Sequence, residues 1–412
     1  MPPSSRGRAP LLLANGRLMT CDGPPGDPLG IVDGGFLTLE GGQLTRVGAA
    51  RPTDLGPLPV IDLGGRLVTP GLIDCHTHLP FLGDRSGEFA LRAAGAGYQE
   101  IAAAGGGIAA TVAATRAGSS AELVSTIVRR ARRLARLGVT TVEAKSGYDL
   151  TPEGELRMLR CVAEASAQLP APLVPTLLAH VVPAEHAAED ARRAWVEAFA
   201  ELIPRVAAAK LATSVDVYCD QGAFTLAETR AILTAAANCG LGTRAHVGQF
   251  ADLGGPELLA ELGAWSADHL EEVSEAGLAA LAAAGIVAVM LPTACVQLRQ
   301  KPPPVAQLRR RGVNLALASD WNPGTSWAEG LTVPMWLATT HYGMTVEEAW
   351  LGVTRHAAAA LRRDDLGVLR PGMRADLVVW DTDQPAAIPY RIGADLVSEV
   401  WVAGQRIDRA RS

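Results

Sequence analysis

The stretch GLIDCHTHLPFLGDR, Gly71–Arg85, decides how the chain is read. An apolar run leads into His76 and His78, one residue apart, and Arg85 follows seven residues after the second histidine. Side chains two apart on a strand point to the same face. Both imidazoles therefore look the same way, toward the mouth if the run is a barrel strand. A pair of neutral imidazoles on one face is the start of a zinc or iron site.

Moving outward, that run is one of eight. Short apolar runs lie at 72–78, 139–146, 173–180, 215–220, 242–249, 264–270, 286–291 and 313–320, each followed by a helical or loop segment. Strand–helix alternation repeated eight times predicts an α/β chain with a (β/α)8 TIM-like barrel, whose chemistry sits at the C-terminal ends of the strands. The polar residues of interest gather at those ends: His76 and His78 on the first run, Lys145 to Tyr148 on the second, His180 on the third, His246 and Gln249 on the fifth, His269 on the sixth and Asp320 on the eighth. The two ends of the chain read differently. LLLANGRLMT, GGFLTLEGGQLTRVG and PVIDLGGRLVTP near the start, and GVLRPGMRADLVVWD and DLVSEVWVAGQRI near the end, are short strands around Gly-rich turns. They predict a small β-sandwich domain built from residues 1–69 and 366–412, with the barrel, residues 70–365, inserted between them.

Composition narrows the partners. The 412 residues carry a net charge of -6 with 48% hydrophobic residues, which suits a soluble globular protein and gives no basis for a nucleic-acid partner. The basic run VRRARRLARLG from Val128 keeps Leu123, Ile127, Ala131, Leu134 and Leu137 at helical spacing, so its arginines read as the wet face of an amphipathic helix. Ser119 and Glu122 have capping-box spacing at its start, and Gly138 suits its end. The six cysteines show no CxxC pairing, which fits a reducing cytoplasm. The N-terminal arginines and PLLLANG make too short an apolar run for a signal peptide. IAAAGGGIAATVAA from Ile101 is too short and too Gly-rich for a membrane span.

Three histidines and one carboxylate at strand ends, His76, His78, His246 and Asp320, make an open metal site with room for water. His186, His341 and His356 fall in helices or loops and read as structural.

At this point the sequence resembles the amidohydrolase superfamily, through PGLIDCHTH, the barrel pattern, the β-rich ends and GMRADLVVWD. Within it the chain resembles the imidazolonepropionase family, through HTHLPFLGDR, GGGIAATVAATR, VEAKSGYDL, PTLLAH, DVYCDQGAF, SADHLE and SDWNPGTS, which span Pro70 to about Thr354. The resemblance implies one divalent metal ion per subunit, zinc or iron, on His76, His78, His246 and Asp320. It implies a homodimer and a small-molecule substrate, 4-imidazolone-5-propanoate, opened to N-formimidoyl-L-glutamate. It also implies substrate contacts from Arg85, Tyr148, His180, Gln249, Asn322, Gly324 and Thr325. The propanoate tail needs a cation, and Arg85 on the first loop can supply one. Tyr148 can donate to the same carboxylate. His180 can polarise the ring carbonyl or bind its tautomer, and the 322–325 turn can read ring nitrogens or carboxylate. In the implied reaction a metal-activated water attacks the ring carbonyl carbon. His269 orients or deprotonates that water, and Asp320 carries a proton to the leaving ring nitrogen.

Two features depart from neighbouring families. Related cyclic deaminases carry an ionisable Glu where Gln249 stands, so Gln249 suits substrate binding better than proton transfer. The family often has an acidic residue at the place of Gly248. Lys145 follows the second run rather than the fourth, so it reads as supporting the site, not as a carboxylated lysine bridging two metals. A ring deaminase and a non-catalytic scaffold of the same fold are the competing readings; the complete ligand set argues against the scaffold.

Overall fold

The computed structural model describes residues 10–49, 57–95 and 106–408. The arginines of the N-terminal run, Arg6 and Arg8, and the first part of the small-residue run from Ile101 lie outside the described residues. Five strands come first: β1 (Leu11–Met19), β2 (Ile31–Glu40), β3 (Gln43–Gly48), β4 (Val60–Asp62) and β5 (Leu67–Pro70). Eight barrel strands follow: β6 (Leu72–Asp74), β7 (Val139–Lys145), β8 (Val174–Ala179), β9 (Ser214–Cys219), β10 (Gly242–Val247), β11 (Ser266–His269), β12 (Val287–Met290) and β13 (Leu315–Leu317). The chain ends in β14 (Leu377–Trp380), β15 (Val397–Val402) and β16 (Gln405–Arg406).

All eight apolar runs contain a barrel strand, each parallel to its neighbour in the order β6 to β13. The barrel closes past the ends of its first and last strands. Thr77 bridges Trp321 in parallel register, the Asp320 N–H donates to the His76 carbonyl at 3.1 Å, and the His78 N–H donates to the Trp321 carbonyl at 3.0 Å. Below this seam the Ser319 N–H and hydroxyl donate to the buried Asp74 carboxylate at 3.1 and 2.5 Å. The closing seam therefore sets two histidines of the first strand end beside the aspartate of the last.

The two chain ends share one mixed sheet, in the order β16-β15-β14-β5-β1-β2-β3 with β4 on β1. β14 pairs antiparallel with β5, Leu377 opposite Pro70, which stitches the C-terminal strands to the N-terminal ones. Gln43 bridges Arg374, and Leu44 N–H donates to the Met373 carbonyl at 2.8 Å, so the sheet curls back on itself. Leu13, Leu18, Leu37, Val68, Leu377 and Val379 fill its interior with no exposed surface. Each such side chain contributes roughly 1.5–3 kcal/mol by burial. Trp380 anchors the domain to the barrel through its ring, which meets Trp350 edge-on at 5.7 Å, while its Nε1 donates to Thr69 Oγ1 within the sheet at 3.0 Å.

The amphipathic helix runs from Ser120 to Arg136, with the Ser119 hydroxyl accepting the Glu122 N–H at 3.1 Å and Gly138 beyond its end at φ +87°. Arg129, Arg132 and Arg133 are exposed as the wet-face reading expects, but Arg130 is buried. Its Nη1 donates to the carbonyls of Leu79 and Phe81, both at 2.7 Å, and its guanidinium lies 3.5 Å over the Phe81 ring. Arg130 thus braces the loop that leaves His78, and burial pushes its pKa down to about 9. Among the described residues no helix is long and apolar enough to cross a membrane.

Candidate metal centre and the cleft above it

His76, His78, His246 and Asp320 converge at the barrel mouth. Asp320 Oδ1 lies 3.5 Å from His76 Nε2 and 3.4 Å from His78 Nε2, and His246 Nε2 lies 3.3 Å from His78 Nε2. Two overlapping groups have donor atoms all within 4.8 Å of one another: His76, His78 and Asp320, and His76, His246 and His269. His76 Nε2 and Asp320 Oδ1 are buried and have no hydrogen-bond partner among the described residues. A buried polar atom left so costs about 1–3 kcal/mol. Burial, with Lys145 and neighbouring imidazoles adding to it, holds His76 and His246 well below the ordinary histidine pKa, in the neutral form that ligates metal. Convergent bare nitrogens beside one carboxylate fit a divalent cation. Asp320 sits at φ +51° and His269 at φ +83°, left-handed backbone that non-glycine residues seldom adopt and that clusters at functional sites.

Carboxylates under the histidines fix their tautomers. His76 Nδ1 donates to Asp268 Oδ2 at 2.5 Å and His246 Nδ1 donates to Asp216 Oδ1 at 2.9 Å, which leaves both Nε2 atoms as acceptors. These carboxylates belong to a fully buried charge network. Lys145 Nζ donates to Glu143 Oε1 at 2.8 Å and Asp216 Oδ2 at 2.6 Å; Arg244 Nη2 donates to Asp268 Oδ2 at 2.8 Å and the Cys75 carbonyl at 2.9 Å. Burial works against the Lys145 ammonium, as does Arg244, yet Asp216 and Glu143 hold its pKa above the ordinary value. Lys145 thus supports the site from beneath, as its position on the second strand suggests. His269 has a different neighbour. Its Nδ1 stands 3.7 Å from Glu271 Oε2, in ion-pair range but too far for a hydrogen bond. Burial opposes charge on His269, and the carboxylates around it, Glu271 first and then Asp320 and Asp268, together more than offset it, raising the pKa.

Above the floor lies a cleft walled by rings and loops. Tyr148 is buried, with its ring 5.3 Å from His180 and 5.9 Å from His78. His180 Nδ1 donates to the Gly147 carbonyl at 3.0 Å, and burial pushes its pKa down to about 4, so its Nε2 is an acceptor. Gly147 is at φ +108°, and a Cβ there would meet His180 Cβ at 3.2 Å. The Glu155 carboxylate pins this loop by accepting the N–H groups of Gly147, Asp149 and Leu150 at 2.5, 2.9 and 2.7 Å. Gln249 is pinned the same way: Asp220 accepts the N–H groups of Gln249, Phe250 and Ala251 at 2.7, 3.0 and 3.0 Å. The Tyr218 hydroxyl donates to Gln249 Oε1 at 2.9 Å, leaving the amide nitrogen to donate. Arg85 forms a two-pronged pair with Glu88, Nε to Oε1 at 2.9 Å and Nη2 to Oε2 at 2.7 Å. Its Nη1 packs on Gly324, where a Cβ would approach to 2.6 Å and push the guanidinium aside.

The 322–325 turn is self-contained. Asn322 Oδ1 accepts the Gly324 and Thr325 N–H groups, each at 2.8 Å, and Nδ2 donates to the Asp320 carbonyl at 2.7 Å and Thr325 Oγ1 at 2.9 Å. The Asn322 amide is committed to its own turn, and it shapes the seat of Arg85. Of the remaining histidines, His186 lies in a short 3-10 turn, His341 ends a helix, and His356 Nδ1 donates to the Leu315 carbonyl at 3.0 Å. Glu143, Asp216, Arg244, Asp268, Glu155, Asp220 and Glu271 were not singled out in the sequence. Part of the signal was there: Glu143 with Lys145, and Arg244 with His246, stand two apart on strands and face the barrel interior together.

Comparison with known proteins bears on the same architecture. The model of the amidohydrolase family matches residues 67–407. An imidazolonepropionase of Aeromonas hydrophila is 49% identical over 352 residues, covering 84% of this chain and 85% of that protein. An imidazolonepropionase of Hyphomonas neptunium is 45% identical over 399 residues, 94% of this chain and 97% of that protein. The zinc-complexed atrazine chlorohydrolase of Arthrobacter aurescens shares the fold at a TM-score of 0.74 and 16% identity, over 96% of this chain and 94% of that one.

Proposed function

This chain belongs to the amidohydrolase family and, within it, to the imidazolonepropionases, and from that premise we propose that it hydrolyses 4-imidazolone-5-propanoate to N-formimidoyl-L-glutamate in histidine degradation. The observation that carries the reading is the stacking of two sites in one mouth. Four convergent metal-type donors lie at the floor, and a half-engaged guanidinium stands at the rim. His76, His78, His246 and Asp320 would hold a divalent ion, zinc or iron, which would supply a Lewis acid for water activation at neutral pH.

The residues of the chain do the rest. Arg85 offers Nη1 to the propanoate carboxylate, its other edge being fixed by Glu88. Tyr148 donates to the same carboxylate from the adjoining wall. His180, neutral with Nε2 as acceptor, takes a ring N–H rather than polarising the carbonyl. Gln249 donates its amide to a substrate oxygen. Asn322 holds Gly324 and Thr325 under Arg85. His269 orients the attacking water and takes its first proton as the C–O bond forms, and Asp320 takes the second, from the hydroxyl of the tetrahedral adduct, and passes it to the ring nitrogen as the C–N bond breaks. A ring deaminase is disfavoured because Gln249 cannot shuttle a proton.

Family membership further supports a homodimer, a hydrolase barrel at 70–365 and a composite β domain from 1–69 and 366–412. The six unpaired cysteines suit the cytoplasm. The test follows the absorbance of freshly prepared 4-imidazolone-5-propanoate with purified protein, before and after chelation. Loss of substrate that stops on chelation and returns with zinc or iron is expected. No loss with metal-loaded protein rejects the substrate.

A further inference from the structure

Glu271 is an acid near the mouth that takes no part in the steps above and, unlike Glu88, Asp220 and Glu155, pins neither a side chain by hydrogen bond nor a loop among the described residues. Its side chain is fully buried, and neither carboxylate oxygen has a hydrogen-bond partner among the described residues. A lone buried carboxylate is costly unless something compensates it. Among the described residues its one ion-pair partner is His269, through Nδ1. The backbone is bent to bring the two together. His269 and Leu270 are consecutive non-glycine residues at φ +83° and +74°. Such strain persists only where the surroundings hold it. Here Leu270 N–H donates to the Val247 carbonyl at 3.1 Å and Glu272 N–H to the Gly248 carbonyl at 2.7 Å, clamping the turn to β10.

The other imidazoles show what such a pairing does. Asp268 and Asp216 occupy the Nδ1 edges of His76 and His246, and each is neutralised by Lys145 or Arg244 as well. Glu271 stands at the same edge of His269 but outside that network. We propose that Glu271 is a positioning residue for the hydrolysis: it holds the Nδ1 proton of His269 and fixes the ring so that Nε2 faces the attacking water. The pair closes from 3.7 Å to hydrogen-bond length when substrate fills the cleft, as such contacts do on assembly of the reacting complex. The inference rests on the hydrolase reading.

The test combines Glu271→Leu, Glu271→Gln and His269→Asn, singly and with each Glu271 change added to His269→Asn. Glu271→Leu is expected to lower kcat on the order of 10- to 100-fold, as loss of a partner behind an imidazole does. KM and bound metal should stay within about twofold of the parent, no larger than ordinary surface effects. Glu271→Gln, whose carbonyl can still accept from Nδ1, is expected to fall between parent and Glu271→Leu, and it carries the cycle if Glu271→Leu does not fold. In the double variants the Glu271 change should cost nothing beyond His269→Asn. Losses that multiply, an unchanged kcat, or loss of metal in Glu271→Leu would overturn the role. A second readout needs no turnover. In protein labelled with 15N at histidine and saturated with the product N-formimidoyl-L-glutamate, the Nδ1 proton resonance missing from His269→Asn should be present in the parent and lost to exchange in Glu271→Leu. Its persistence in Glu271→Leu rejects the positioning role. A parent with that resonance and no turnover rejects the substrate instead.

Discussion

His246 and Gln249 stand three residues apart at the end of one strand, yet opposite devices hold them. His246 is fixed through its side chain, on Asp216, in a network of three buried carboxylates and two buried cations that crosses the barrel from Glu143 to Asp268. Gln249 is fixed mainly through its backbone. Its N–H is held by Asp220 and its carbonyl by Gln300 Nε2 at 2.6 Å. Tyr148 follows Gln249, with Glu155 in the part of Asp220. The floor therefore depends on barrel register, since its charges come from neighbouring strands and meet only when the barrel has closed. The rim depends on backbone turns, each folded around one buried carboxylate, Glu155 from the same loop and Asp220 from the end of the neighbouring strand. Damage to the floor should appear as lost metal or lost stability, and damage to the rim as weaker substrate binding.

The largest effect belongs to Asp320, which serves both levels. Asp320→Asn should abolish turnover, by more than about 1,000-fold, a loss on the scale of removing an acid–base group. Near-normal kcat in that variant would remove Asp320 from the proton path. Next comes the floor. Lys145→Met leaves Glu143 and Asp216 without their ammonium partner and should destabilise the fold by about 3–5 kcal/mol, read from urea unfolding. A loss under about 1 kcal/mol, typical of exposed pairs, would mean the network is not the support described. At the rim, Arg85→Met should raise KM about 10- to 150-fold, the equivalent of about 1.5–3 kcal/mol for a charge-assisted contact, with bound metal unchanged. Metal loss in that variant would erase the division between the two levels.

The last effect lies outside both levels and is seen only in acid. Burial pushes His356 down to about 4 in the folded chain, against about 6.5 when unfolded. The unfolded state binds the proton more tightly, so stability is full above pH 6.5 and falls as pH drops from 6.5 toward 4. The slope is about 1.4 kcal/mol per pH unit between the two pKa values. His356→Gln should flatten that part of the curve relative to the parent; parallel curves would contradict the assignment.

The same division explains what the sequence disclosed. The eight strands and the five strand-end histidines were legible because period-two strands and turn residues are local signals. The four converging donors followed from strand ends alone. The partners beneath them were harder to read. Asp216 and Asp268 support His246 and His76 across sequence separations of 30 and 192 residues, and no local pattern links such pairs. Arg130 shows a readable signal overlooked: it lies three residues after Ile127 and four before Leu134, on the apolar stripe rather than the wet face. Asn322 shows the converse, a residue whose type suits substrate binding and whose side-chain amide is taken up by its own turn.

The donor set suits a single metal ion, with Lys145 spent on charge pairing rather than on bridging a second. The most direct measurement titrates zinc or iron into chelated protein and plots the rate of 4-imidazolone-5-propanoate hydrolysis against metal bound per chain. A linear rise that breaks at about one ion per chain is predicted for a donor set of three imidazoles and one carboxylate. Full activity without metal, or a break at about two ions, would contradict the account.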